Sequence, residues 1–563
     1  MLTDAVPRVP ASDPMMRASR LVGRLIWILA AAVFAVAFFL PVYTDEILWK
    51  ALLGRYRVDG GQEIALTMIP SCGFYAKDVP WLLVPYRLFN QVLYGNISGP
   101  LAIRGFGLAL ELGWLLLVWR LFVPVLRPQF GAGTTATGVL AFAMLGILPF
   151  MLEFGRPEQI LLIGITILFV PLLKPASPEL PGLGTGLLHA LLICVGAGFF
   201  LTTHPRANFA LPLILAFSQR VLRRPWLTFM SFGVILAFDA VAYGDWAARW
   251  NCPHDPVVAL TFRRLNLGAN HSLADFQSYF SALYKSFENS GSWFLADIIQ
   301  KPRYTSDMIP PYTGIGWLVI GRLLWAWLSY IFLIGSAAVI VSWWTRWRER
   351  ELRMSLVALA AMWLFFAASI IARIDKNDYE AELIVPLVGI GTAGAVWIAW
   401  PSLIALIGTD SAHRMARFGC MVTLSFALLS QAGLIVNYAP YVFWSWTKAG
   451  YPKGQRVSVG NFGYDSLRAG IIEAAEKCGI RLQDYPRHLV VDELTYFTFQ
   501  QAYQPFFMTE LDEHGWSTHH PDPTDTLFYF KSDGMIVGCQ WIPTVYKHRA
   551  VADGKFCCLP KFY

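Results

Sequence analysis

Four short runs of charged and polar residues stand at the ends of long apolar stretches. The first is Tyr43-Thr44-Asp45-Glu46 and the second Glu153-Phe154-Gly155-Arg156-Pro157-Glu158. The third is Thr203-His204-Pro205-Arg206-Ala207-Asn208 and the fourth Arg373-Ile374-Asp375-Lys376-Asn377-Asp378-Tyr379-Glu380. Charges held next to a bilayer are costly unless paired or put to use. Arg156, His204, Arg206 and Lys376 are the side chains that would bind and neutralise a phosphate at headgroup depth. Asp45 or Glu46 would take a proton from an attacking hydroxyl; neighbouring residues point apart, so one of the two acts directly. Glu158, Asp375 and Asp378 would orient those groups or the substrate.

This chemistry suits a sugar carried on a polyprenyl phosphate. The lipid tail stays in the bilayer, the phosphate lies among the headgroups, and cations there stabilise it as it leaves. A P-loop, a GxSxG elbow and a dinucleotide fingerprint are all missing from the sequence, which disfavours a cytosolic nucleotide-sugar enzyme. His519, His520, Asp522 and Asp525 match no zinc spacing and read as surface residues. Any cofactor is left open, a divalent metal included.

The elements that must position these runs are membrane helices. The 563-residue chain is 56% hydrophobic and 15% charged, with a mean hydropathy of +0.47. A soluble fold cannot hide that much apolar surface. Apolar stretches predict about eleven transmembrane helices, near 21–41, 99–124, 133–152, 159–173, 183–201, 207–219, 226–243, 315–342, 353–372, 382–400 and 416–437. Arginines before the first span share one side with Arg120, Arg127, Lys174, Arg220, Arg223, Arg224, Arg346, Arg348, Arg350, Arg353, Arg414 and Arg417, if the spans alternate. The positive-inside rule makes that side cytosolic, so the four polar runs face outward. The net charge of +7 is thus a topology signal and implies no nucleic-acid partner. Glu111 and Asp239 lie within spans and read as buried, hydrogen-bonded acids.

Three domains follow: a cytosolic tail over 1–20, a transmembrane domain over 21–437 with outer loops 42–98 and 244–314, and an extracytoplasmic α+β domain over 438–563. The last has helical spacing at 465–478 and strand-like runs at 488–492, 525–531 and 535–541. Cys72, Cys252, Cys478, Cys539, Cys557 and Cys558 fall in outer segments, where disulfides are compatible with an oxidising compartment.

An acidic pair directly after the first span, followed by a long outer loop with Trp81, Pro85 and Tyr86, resembles the GT-C membrane glycosyltransferases. That superfamily includes the dolichyl-phosphate-mannose protein mannosyltransferases and the bacterial lipid A aminoarabinose transferases. The resemblance covers roughly residues 20–400. It implies Asp45 as the catalytic carboxylate, with Glu46 as the alternate, and Arg156 and Glu158 in donor binding. The expectation is an inverting transferase in a bacterial inner membrane, with its site on the periplasmic face. It would move a sugar from a polyprenyl-phosphate donor to a glycan, lipid or protein acceptor. The alternative is a transporter or lipid flippase, which would need charge along a path through the bilayer and inverted repeats.

Overall fold

The computed structural model describes residues 14–39, 100–143, 148, 152–153, 157–173, 180–250, 333, 336–371, 379–447, 472 and 476, and short strands between 489 and 559. The helices are α1 (Pro14–Phe39), α2 (Pro100–Ala143), α3 (Pro157–Leu173), α4 (Leu183–Leu201), α5 (Leu211–Leu222) and α6 (Pro225–Trp250). They continue with α7 (Arg350–Ile371), α8 (Tyr379–Ile407) and α9 (Thr409–Thr447). A 3-10 turn, Pro205–Ala210, joins α4 to α5. The chain is a mostly helical integral membrane protein. Leu21–Phe39, Leu183–Leu201, Pro225–Gly244 and Pro386–Ile407 are each long and apolar enough to cross a bilayer.

Helix α3 lies at the centre, in contact with α2, α5, α7 and α8. Its Leu161, Leu162, Ile165, Phe169 and Leu172 are buried. In lipid such a seam is held by close packing more than by water exclusion. The flanks differ. Helix α4 turns Leu187, Leu191 and Val195 outward, and α6 exposes Phe229, Met230 and Val241. Apolar faces of that extent belong against lipid. Helices α4 and α6 run parallel, since Gly186 lies by Leu227 and Gly198 by Phe238, and α5 contacts both.

The expected break between the spans 99–124 and 133–152 is absent as a loop: α2 is helical from Pro100 to Ala143. It is nevertheless not straight. Arg104 meets Ala37 of α1, and Trp27 of α1 donates to Thr137 Oγ1 at 3.0 Å. Ala37 and Trp27 are about 15 Å apart along α1, whereas a straight α2 would part Arg104 and Thr137 by about 50 Å. Two side-chain lengths cannot make up that difference. The segment therefore bends between Arg104 and Thr137, an interval that holds Pro124, Pro128, Gly131 and Gly133, and the two expected spans become the arms of one bent helical segment.

Other boundaries move too. The expected span 207–219 is a 3-10 turn followed by the 12-residue α5, together about 30 Å of rise, and it carries the chain from the His204 end back to the Arg220 end. Pro205 and Pro212 set this shift, because each suits the first turn of a helix and not its interior. Between α8 and α9 the expected linker shrinks to Gly408, whose φ is +80°. Its amide donates to Ile404 O at 2.9 Å and its carbonyl accepts from Ala412 N at 3.0 Å. Helix α9 runs to Thr447, so the polar tail starts beyond the expected position 438.

Basic side chains gather at one end of the bundle and bond to backbone carbonyls. Arg220 Nε reaches Pro171 O at 3.3 Å, Arg224 Nη2 reaches Pro181 O at 3.0 Å, and Arg346 Nη1 reaches Ile398 O at 3.4 Å. Pro171 lies in the last turn of α3, where the negative end of the helix suits a cation. Exposed Trp343, Trp344 and Trp347 flank Arg346, as aromatic residues do at a membrane boundary. Hydrogen bonds of 2.8 and 2.6 Å from Arg346 hold the Glu349 carboxyl below the usual carboxylate range. Whatever stability this pair adds is present at neutral pH and lost as pH falls through that lowered value. Glu349 is 52% exposed, which keeps the contribution under about 1 kcal/mol.

In the tail, strands β1 (Leu489–Val491), β2 (Phe507–Met508), β3 (Thr526–Phe530), β4 (Val551–Asp553) and β5 (Phe556–Leu559) form a sheet in the order β2-β1-β3-β5-β4. β1 is parallel to β2 and β3; β5 is antiparallel to β3 and β4. The expected strands at 488–492 and 525–531 match β1 and β3. The expected strand at 535–541 lies outside the described residues, as does the 465–478 helix apart from helical Ile472 and Glu476.

Candidate functional site

The third polar run is built first by its backbone. Thr202 and Thr203 end α4 by bonding back, their hydroxyls donating to Phe199 O at 2.9 and 3.3 Å. His204 then takes an extended conformation, φ −161° and ψ 147°, which the following Pro205 favours. Its Nδ1 accepts from the Arg206 backbone N–H at 3.1 Å and so caps the 3-10 turn. An Nδ1 that accepts carries no proton. The cap therefore fixes the neutral tautomer with its proton on Nε2.

That Nε2 lies 3.8 Å from Glu158 Oε1, longer than a direct hydrogen bond. Glu158 sits in the first turn of α3, behind Pro157. A carboxylate there meets the positive end of the helix dipole, and Pro is preset for the first helical position. Glu158 is 6% exposed and Glu153, just before it, is fully buried. Arg206 is partly buried on the capped turn.

Two residues that the motifs did not reveal complete this end. Gln159 Nε2 donates to Gly107 O of α2 at 3.3 Å. Seven residues further along both helices, Trp114 Nε1 donates to Thr166 Oγ1 at 3.1 Å, so this arm of α2 runs parallel to α3. Arg104, fully buried in the first turns of α2, donates from Nη1 to Ala37 O of α1. An arginine inside an apolar span is the signal that would have found it. Glu111, two turns on from Arg104, is 1% exposed.

The structure thus brings Glu158, His204 and Arg206 from two polar runs to one end of the bundle, away from the arginine-capped end. Asp45, Glu46, Arg156, Asp375, Lys376 and Asp378 lie outside the described residues. Among the described residues no group of three or more His, Cys, Asp or Glu could hold a metal ion. Cys194 in α4 is a free thiol.

No known protein family matches the chain, and no curated protein sequence matches it. Among solved structures, the chain is similar to ArnT from Cupriavidus metallidurans bound to undecaprenyl phosphate. The identity is 13% and the TM-score 0.44, over 98% of this chain and 98% of that one. It is also similar to the oligosaccharyltransferase AglB from Archaeoglobus fulgidus in complex with an inhibitory peptide and a dolichol-phosphate. There the identity is 10% and the TM-score 0.41, over 85% of this chain and 64% of that one. At these identities the likeness transfers no residue.

Proposed function

We propose that the chain is an inverting glycosyltransferase. Its donor is a polyprenyl-phosphate sugar, and its acceptor is a cell-envelope glycan, lipid or protein on the outer face of a bacterial inner membrane. The observation that carries this reading is the convergence of Glu158, His204 and Arg206 at one bundle end.

In this reading Asp45 accepts the proton of the acceptor hydroxyl, with Glu46 as the alternate. The hydroxyl oxygen bonds to the anomeric carbon from the face opposite the phosphate. The bond from that carbon to the phosphate oxygen breaks, its electron pair leaves with the polyprenyl phosphate, and one displacement inverts the centre. His204 Nε2–H and the cations Arg156, Arg206 and Lys376 take up the charge on the departing phosphate. Glu158 biases His204 through its field, since 3.8 Å is beyond direct bonding. Asp375 and Asp378 orient the substrate, and the tail shapes acceptor choice.

The test is release of free polyprenyl phosphate when purified protein meets a panel of polyprenyl-phosphate sugars and a membrane glycan extract. Release should require the acceptor and fall by about 10²-fold or more in Asp45→Asn. If Asp45→Ala keeps full turnover while Glu46→Ala abolishes it, the base is Glu46. No release from any donor by folded protein overturns the reading. One observation favours transport instead: Glu111 is an acid buried within α2. Movement of intact lipid without conversion would establish that alternative.

A further inference from the structure

The carbonyl of Ala37 has a defect written into the sequence. In a helix it would accept from the amide four residues on, but residue 41 is proline and has no N–H. The i+4 bond of a continued α-helix is therefore closed to this oxygen, and leaving a carbonyl unbonded inside a membrane protein is costly. The missing donor comes from another helix: Arg104 Nη1 bonds to Ala37 O, and Arg104 is fully buried. A guanidinium at this place also suits the negative end of the α1 dipole. A second bond continues the line, from Gln159 on the first turn of α3 to Gly107 O, one turn beyond Arg104 on α2. The next residue back is Glu158, which faces His204 across 3.8 Å. The end of α1 is thus tied through α2 to the first turn of α3, whose Glu158 faces the His204 turn.

We propose that Arg104 is a positioning residue: by supplying the donor that Pro41 lacks, it fixes the exit of α1 relative to the Glu158–His204 end. The chain leaving that exit reaches Asp45 within eight residues of Ala37. The catalytic consequence therefore rests on the function proposed above, whereas the structural tie does not. A base and a phosphate site carried by separate helices must keep a fixed spacing, because a displacement of about 1 Å can cost about 10²-fold in rate.

The experiment uses the full chain in detergent or nanodiscs, with Arg104→Lys and Arg104→Met beside wild type. Amide hydrogen exchange reads the last turn of α1, residues 36–39, without any donor. The tie predicts exchange at least about tenfold faster there in Arg104→Met, and an intermediate value in Arg104→Lys, which keeps a donor on a shorter reach. Adding Pro41→Ala to Arg104→Met restores an amide for Ala37 O, so exchange should slow again. Exchange within twofold of wild type in both single variants overturns the proposal. If Arg104→Met does not fold, Arg104→Lys and the double variant decide. In the transfer assay, Arg104→Lys should lower kcat about 10- to 100-fold with donor KM within twofold. The Pro41→Ala double variant should regain folding but not kcat, since its α1 exits in a different direction; a loss confined to KM would overturn the positioning role. Altered exchange with no transfer by wild type would leave the tie standing and sink only the glycosyltransferase reading.

Discussion

At the scale of single residues, His204 serves two roles that substitutions can separate. Its Nδ1 caps the turn and its Nε2 faces Glu158, and the proposed function adds phosphate binding to the second role. Asparagine can accept from the Arg206 amide but has no group at the Nε2 position. His204→Asn should keep the thermal stability of the wild type and lose about 10-fold or more in turnover. His204→Ala should lose the same turnover and a further ~1 kcal/mol of stability. Paired melting curves and release assays check this, and equal turnover in wild type and His204→Asn would remove His204 from the site. His204, Arg206 and Glu158 were legible because each stands in a short polar run at a helix end. Arg104 carried a signal, an arginine inside an apolar span, but its partner did not, because no local spacing links Ala37 and Pro41 to residue 104. Gln159 escaped notice because a lone amide beside a charged motif carries no signal of its own.

At the scale of elements, the seam between α3 and α4 depends on a missing side chain. A Cβ on Gly164 would lie 2.5 Å from the ring of Phe200. Phe200 comes four residues before His204, in the last turn of α4. Gly164→Ala should displace that ring, cost about 1–3 kcal/mol of stability and shift the His204 turn. A thermal melt reads the first effect. The second should appear as faster amide exchange over residues 202–207. Unchanged exchange there would show that the ring moves without disturbing the turn. The long apolar helices were legible from hydropathy, which needs no partner to read. The bend in α2 and the one-residue joint at Gly408 were not, since a helix can run through Pro and Gly positions when neighbours re-satisfy its backbone. The short strands of the tail depend on pairing partners, so β2, β4 and β5 left no local pattern long enough to see.

At the scale of the whole molecule, the two bundle ends differ in kind. One holds arginines bonded to backbone carbonyls and exposed tryptophans; the other holds buried acids, Arg104, Gln159 and His204. The positive-inside rule orients this axis. A tag before Met1 should resist protease added outside intact cells, and a tag after Tyr563 should be removed. The reverse pattern would place the proposed site on the wrong face for an outer acceptor. Charge asymmetry was readable from composition alone, whereas how the acids are held required the packed helices. One feature of the bundle has an evolutionary corollary. The start of α2 is fastened to its neighbours by Arg104 and Gln159, through bonds made between helices. Those two positions should therefore tolerate fewer substitutions over evolution than the exposed Leu112 and Leu116 of the same helix.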